Sequence, residues 1–163
     1  MTNNEIREEV RKILHELGEI NPAIDIVKIA KSKGVENIFD VPWELLEGNS
    51  GKIQAKDNNK FDIWLNQSDS RYRKRFTVAH ELGHLLAGHM NGCDVQGRNP
   101  NSPTNQCEKI ADAYAAELIM PYFILEALWK IGVRRTDDFA KIFEVSEVAM
   151  QYRLDNCRQE LES

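Results

Sequence analysis

The chain has 163 residues, of which 42% are hydrophobic and 29% are charged, a composition typical of one soluble globular domain. Its formal net charge of −5 argues against broad, non-specific binding of nucleic acid. Residues 1–9 are polar and acidic, without the apolar region of a signal peptide, and the most apolar run, residues 118–129, is too short to span a bilayer.

The three cysteines, Cys93, Cys107 and Cys157, show no Cys-x-x-Cys spacing. This pattern is typical of free thiols in a reducing compartment. We therefore expect three unpaired cysteines and a cytoplasmic protein.

The first half of the chain predicts two helices followed by a small sheet. Apolar spacing indicates a helix over residues 6–17 and a second helix that Pro22 opens and Gly34 ends. Residues 35–39 are typical of a short strand, and residues 42–46 of a helical turn. Two alternating runs, 52–55 and 61–65, predict a β-hairpin that leads into a helix starting near Ser70.

The second half predicts four more helices, at residues 108–120, 122–131, 136–143 and 146–161, of which the last two form a helix-turn-helix-like pair. The polar stretch 92–106 is predicted to be a loop, either a substrate gate or a simple connector. The predicted fold class is α+β, mostly helical with a small antiparallel sheet. We expect a single domain over 1–163, with an N-terminal helix (1–21), a core (22–130) and a C-terminal helical segment (131–163).

The most informative motif is His-Glu-Leu-Gly-His at residues 80–84, inside a segment with helical apolar spacing. Positions i and i+4 share one face of a helix, so His80 and His84 can reach a single metal ion. Glu81 projects about 100° around the helix and can face a water molecule instead of binding the metal. A similar stretch at residues 15–19 ends in Glu, and we interpret His15 as an ordinary surface histidine.

A catalytic zinc site requires a third protein ligand. His89 lies five residues after His84, roughly 140° away on a continuous helix, and we interpret it as a helix-end residue. Glu108 is the better candidate, since Glu108 and Asp112 share one helix face in Ala-rich surroundings that indicate burial. One carboxylate can bind zinc while the other accepts the second ring N–H of a histidine ligand.

Residues 75–84, Arg-Phe-Thr-Val-Ala-His-Glu-Leu-Gly-His, and residues 108–121, Glu-Lys-Ile-Ala-Asp-Ala-Tyr-Ala-Ala-Glu-Leu-Ile-Met-Pro, resemble the two metal-binding blocks of the ImmA/IrrE metallo-endopeptidases. The resemblance covers roughly residues 22–155. This chain has Asp112 and Tyr114 where the family's second block typically has Asn and Phe.

The resemblance implies a zincin-like core with His80, His84 and Glu108 as zinc ligands and Glu81 as general base. Members of the family act in the cytoplasm and cleave Xre-type helix-turn-helix repressors, often encoded on mobile elements or in stress-response operons. Such a partner is expected to be a separate chain.

Other residues leave alternatives open. Tyr114, Tyr122 and the basic residues 71–75 are candidates for stabilising an oxyanion, although Tyr114 also fits a core aromatic and 71–75 a solvated helix start or a docking site for an acidic partner. The tryptophans Trp43, Trp64 and Trp129 are expected in the core. The acidic C-terminal pair is a poor phosphate-binding surface, so direct DNA binding is not expected.

The main alternative to a peptidase is a regulator, such as a toxin–antitoxin partner, that uses the metal only structurally. Such a site has no use for Glu81 as a base and usually has a fourth protein ligand. The sequence offers no evident fourth ligand, which favours the enzyme.

Overall fold

The computed structural model of the protein describes residues 1–91 and 103–163. Seven α-helices and three β-strands lie within these two ranges. The helices are α1 (Asn3–Glu16), α2 (Ile26–Ser32), α3 (Arg71–Leu86), α4 (Pro103–Ile119), α5 (Tyr122–Lys130), α6 (Thr136–Phe143) and α7 (Glu147–Glu162), and the strands are β1 (Val35–Val41), β2 (Gly51–Ala55) and β3 (Phe61–Asn66). The α+β class, mostly helical with a small sheet, is confirmed.

The three strands form one mixed sheet in the order β1-β3-β2. The hairpin is as predicted, because β2 pairs antiparallel with β3 and Ile53 lies opposite Ile63. However, β1 pairs with β3 in parallel, with Ile38 opposite Ile63, so the sheet is not purely antiparallel. Alternating apolar residues identify a strand but carry no information about its direction, which is why the sequence analysis missed this pairing.

Capping side chains fix the starts of helices α1, α2, α3 and α7. Ser70 accepts a hydrogen bond from the backbone N–H of Arg73 at 3.2 Å, as predicted for the start of α3. In contrast, α2 begins after Asp25, whose carboxylate caps the backbone N–H of Lys28, and the predicted start at Pro22 is wrong. Helix α4 already begins at Pro103, and residues 92–102 of the predicted loop lie outside the described residues.

Close packing of α3 on α4 determines where the functional side chains meet. A Cβ atom placed on Gly83 would lie only 2.7 Å from the carbonyl oxygen of Ala111 and 3.0 Å from Cβ of Tyr114. A residue with a side chain at this position would therefore force the two helices apart. The side chain of Tyr114 is fully buried in the core, which confirms its interpretation as a core aromatic.

The basic residues at the start of α3 serve the fold. Arg75 donates hydrogen bonds to the backbone carbonyls of Ile24 at 2.9 Å and Glu144 at 3.2 Å. It thus connects α3 to the segment before α2 and to the turn between α6 and α7. Arg71 forms an ion pair with the side chain of Glu144 at 2.9 Å, although Arg71 itself remains largely exposed.

Two further expectations are wrong. Trp43 is 60% exposed, because the short 3-10 turn Trp43–Leu46 buries only Leu46. Cys107 is disulfide-bonded, whereas Cys157 is a buried free thiol. A disulfide can join cysteines that are far apart in sequence, so the missing Cys-x-x-Cys spacing did not exclude it. Cys93 lies outside the described residues.

No helix in the two described ranges combines the length and the apolar character needed to cross a membrane.

Candidate metal centre

Helix α3 presents His80 and His84 side by side. The two residues are one helical turn apart, and their ring centroids lie 4.8 Å from each other in an edge-to-face arrangement. Both side chains are mostly buried. The helix backbone therefore sets the spacing of the two imidazoles, and burial limits the rotamers they can adopt.

Glu108, on the first half of α4, faces both histidines. Its Oε2 lies 3.0 Å from Nε2 of His80, and its Oε1 lies 3.0 Å from Nε2 of His84. The three residues could hold a metal ion, since one ligand atom from each lies within 4.8 Å of the others.

The donor set fits a zinc ion in its chemistry. The two 3.0 Å contacts involve different oxygens of Glu108 and are hydrogen-bond distances, so they show that the three side chains converge on one point. Zinc bonds of about 2.0–2.2 Å in a tetrahedral site would separate neighbouring ligand atoms by roughly 3.3–3.6 Å, so the side chains would need to move by only a few tenths of an ångström. Two imidazoles and one carboxylate are also the ligands of one common class of catalytic zinc site.

Asp112 lies one turn after Glu108 and contacts the other ring nitrogen of His80. Its Oδ1 is 2.8 Å from His80 Nδ1. A carboxylate accepts hydrogen bonds, so this contact places the proton of a neutral His80 on Nδ1 and leaves the Nε2 lone pair facing Glu108. The structure thus brings together the residues that the sequence analysis selected on α3 and α4.

The expected burial of these two carboxylates is wrong. The side chain of Glu108 is 48% exposed and that of Asp112 is 59% exposed. The alanines around them are indeed buried, among them Ala111 and Ala115. However, these alanines lie on the face of α4 that packs into the core, and the carboxylates stand at its edge.

His89 is a partner of His84 that the sequence analysis missed. The Nδ1 atoms of the two rings lie 3.2 Å apart. Helix α3 ends at Leu86, and Gly88, with φ of 76°, turns the chain before the short 3-10 turn His89–Asn91. The 140° separation assumed a continuous helix, and the glycine at 88 was the signal that the helix stops before His89.

Glu81 is buried beside the two histidines but points to the sheet. Only 8% of the residue is exposed. A Cβ atom on Gly51, at the start of β2, would lie 3.7 Å from Oε1 of Glu81, and even closer to the side chain of Thr77. Burial raises the pKa of the Glu81 carboxyl, an effect that His80 and His84 oppose. A carboxylate with a raised pKa is a stronger base than an exposed one.

The side chains of the candidate centre shift one another's pKa values in the direction that favours a positive charge on His80. Burial lowers the pKa of His80, but its hydrogen bonds to Asp112 and Glu108 outweigh this effect and raise the pKa to about 10. The same hydrogen bonds, from His80 and His84, hold the pKa of Glu108 well below its usual range. Burial and the nearby His84 lower the pKa of His89. Asp112 and Glu108 thus favour a positive charge between them. Without a metal, the proton on His80 supplies this charge.

The candidate oxyanion residues are engaged elsewhere. The buried hydroxyl of Tyr114 donates a hydrogen bond to Glu9 on α1. The guanidinium carbon of Arg7 lies over the ring of Tyr122, 4.0 Å from the ring centroid. Arg71 and Arg75 hold the turn between α6 and α7. None of these contacts places a donor beside His80 and His84.

The family model of the IrrE N-terminal-like domain, Peptidase_M78, matches residues 37–155. This range is more than two thirds of the chain and contains β2, β3, most of β1 and both helices of the candidate centre. The match confirms the resemblance drawn from the two sequence blocks and supports a metallopeptidase function. A comparison with curated proteins finds no match.

Proposed function

The chain belongs to the Peptidase_M78 family of IrrE N-terminal-like domains, and from this premise we propose that it is a zinc-dependent endopeptidase that cleaves a specific protein. The observation that carries the proposal is the convergence of His80, His84 and Glu108 around one point, with the buried carboxylate of Glu81 next to the two histidines. A proteolytic zinc site needs such a ligand set together with a base.

In this proposal His80, His84 and Glu108 hold the zinc ion. Asp112 fixes the ring of His80, so that its Nε2 lone pair points to the centre. When bound, zinc supplies Lewis-acid activation of a water molecule and of the scissile carbonyl.

Glu81 acts as the general base. Its carboxylate takes the proton of the attacking water and passes it to the nitrogen of the leaving amine, so that the peptide bond is broken without a free proton being released. The raised pKa of Glu81 suits both transfers, since the group must accept a proton readily near neutral pH and then give it up.

We propose an Xre-type helix-turn-helix repressor, encoded as a separate chain and located with the peptidase in the cytoplasm, as the substrate. The support for this choice is the resemblance to the ImmA/IrrE peptidases. The domain division given by the sequence, with the peptidase core over 22–130, is part of the same proposal.

A regulator with a purely structural metal is the competing function. The position of Glu81 speaks against a structural metal, because a structural site does not need a buried acid beside its ligands. Within the described residues, the ligand cluster also holds three members and lacks a fourth.

The test is co-expression with a helix-turn-helix repressor encoded beside the gene. The peptidase is supplied intact, as Glu81→Gln or as Glu126→Gln, a matched change at a partly exposed acid on α5. We expect a fragment pair with the intact protein and with Glu126→Gln, whereas Glu81→Gln slows cleavage by about 10²–10⁴-fold. The mass of the repressor fragments identifies the scissile bond.

Zinc content separates the outcomes. All three proteins are expected to carry about one zinc ion per chain, because Glu81 is not a ligand. An uncleaved repressor with zinc present in the intact protein would contradict this substrate. Equal cleavage by the intact protein and Glu81→Gln would exclude Glu81 as the base.

A further inference from the structure

The two histidines of the candidate centre have different outer partners. Nδ1 of His80 faces a carboxylate, that of Asp112, at 2.8 Å. Nδ1 of His84 faces another imidazole, that of His89, at 3.2 Å. Both separations are within reach of a hydrogen bond, so each histidine is held at both of its ring nitrogens.

Binding of zinc through Nε2 fixes the direction of the bond between the two imidazoles. A neutral imidazole carries one proton, and a ring nitrogen that binds a metal cannot carry it. The proton of His84 must then be on Nδ1, from which it is donated to Nδ1 of His89. His89 in turn must accept at Nδ1 and carry its own proton on Nε2.

We propose that His89 is a positioning residue, which accepts the Nδ1–H of His84 and so orients the Nε2 lone pair of His84 toward the metal. This inference rests on the proposed function, because it takes His84 as a zinc ligand. His89 orients the ring of His84 by accepting its Nδ1–H, just as Asp112 orients the ring of His80. The ring of His89 is a neutral acceptor, so it orients His84 without adding another negative charge to the site.

The position of His89 is incompatible with direct binding of the same metal ion. Its Nδ1 lies beside the outer nitrogen of His84, on the side of the ring opposite the Nε2 atom that faces Glu108. In addition, the ligand atoms that lie within 4.8 Å of one another belong to His80, His84 and Glu108.

Two substitutions of similar shape separate hydrogen bonding from packing. His89→Asn keeps an acceptor, since the Oδ1 of Asn is attached to Cγ just as Nδ1 is in His. His89→Leu has nearly the same size but no acceptor. His15→Leu is the control for loss of a histidine far from the site, where His15 stacks on Phe123.

Zinc affinity is measured by competition with a chelator. We expect His89→Leu to weaken zinc binding by about 10–100-fold, as is usual when the outer partner of a ligand is lost. We expect His89→Asn to stay within about threefold of the wild type and His15→Leu to be unchanged. Urea unfolding of the metal-free proteins checks that the variants are folded.

Nuclear magnetic resonance of the zinc-loaded wild type provides a test that does not depend on any variant. The ring nitrogens are expected to show a proton on Nδ1 of His84 and on Nε2 of His89. A proton on Nδ1 of His89 would overturn the proposal, whether or not His89→Leu folds.

Equal zinc affinity of His89→Leu and the wild type would also overturn the inference while leaving the zinc peptidase intact. Equal weakening by His89→Leu and His89→Asn would overturn it too, because the acceptor would then be irrelevant. Failure of the wild-type protein to bind zinc would overturn the proposed function together with this inference.

Discussion

Helix α4 carries two carboxylates with opposite surroundings. Glu117, in its second half, is buried and paired with an arginine. Its carboxylate forms a close ion pair with Arg153 of α7, lies 3.9 Å from Nε of Arg7 and accepts the backbone N–H of Tyr122 at 2.8 Å. Glu108, in the first half, is half exposed, and its described ion-pair partners are the imidazoles of His80 and His84.

The difference shows which of the two clusters needs an external ion. Around Glu117 the guanidinium groups of Arg153 and Arg7 supply the positive charge, and the cluster joins α1, α4 and α7. Around Glu108 no lysine or arginine of the described residues forms an ion pair, and the neighbours are imidazole nitrogens, which can carry either a proton or a metal ion. A carboxylate that faces other electron-pair donors favours a bound cation, whereas one that faces arginines serves the fold.

Replacing Glu108 by Gln gives the largest expected effect. We expect the zinc affinity to fall by at least about 100-fold, beyond the loss that follows removal of an outer partner, because a charged ligand disappears. The free energy of unfolding of the metal-free protein should change by less than about 1 kcal/mol, since the side chain is half exposed. Chelator competition and urea unfolding measure the two quantities.

Glu126→Gln is the matched control for this change. Glu126 is a partly exposed acid on α5 that pairs with Lys130 one turn away and contacts the side chain of Tyr122. Its replacement should leave zinc affinity and stability unchanged. Zinc affinity of the Glu108→Gln variant close to that of the wild type would show that Glu108 is not a ligand.

Replacing Arg153 by Met should lower the stability and leave the zinc affinity nearly unchanged, the reverse of Glu108→Gln. The change removes the close ion pair with Glu117 and the hydrogen bond from Arg153 to the carbonyl of Met120 at 3.1 Å. We expect the free energy of unfolding to fall by about 2 kcal/mol, less than the 3–5 kcal/mol typical of a broken buried pair, because Arg7 remains nearby. Zinc affinity should stay within about twofold.

Arg158→Met is the control on the same helix. Arg158 is about half exposed, and its ion-pair partners among the described residues are Asp155 and Glu162 of α7. Loss of such surface pairs changes the free energy of unfolding by less than about 1 kcal/mol. A loss of zinc affinity in Arg153→Met, comparable to that in Glu108→Gln, would mean that the two clusters are not independent.

Spacing along one helix correctly predicts the geometry within that helix. His80 and His84 share a face of α3 because they are four residues apart, and the same holds for Glu108 and Asp112 on α4. The meeting of the two pairs was inferred from the need for a third zinc ligand, and the resemblance to a family implied the same set, since helical spacing alone cannot place one helix against another. In the structure Gly83 permits that close approach.

Sequence spacing misleads where the chain leaves a regular element. The contact between His84 and His89 depends on the end of α3 at Leu86, and a helical projection continued past that point gives the wrong direction. The parallel pairing of β1 depends on how the chain returns to the sheet. The Glu117 cluster joins residues of three helices and has no sequence motif.

The proton held by the candidate centre gives the smallest expected effect when it is counted for each pH unit. The pKa of His80 is raised to about 10 in the metal-free protein, so the group is protonated at neutral pH. Its contribution to stability is full below the unfolded pKa of about 6.5 and is lost as the pH rises through about 10. Zinc has the opposite dependence, because it can bind only after His80 loses this proton.

We therefore expect the zinc affinity to rise by about tenfold per pH unit between about pH 7 and 9, as required when one proton is released for each ion bound. Glu108 adds nothing to this slope, because its lowered pKa keeps it ionised throughout the range. Chelator competition at several pH values, corrected for protonation of the chelator, measures the slope. A zinc affinity independent of pH over this range would mean that the centre holds no proton for the metal to displace, and the contrast with the Glu117 cluster would then lose its electrostatic basis.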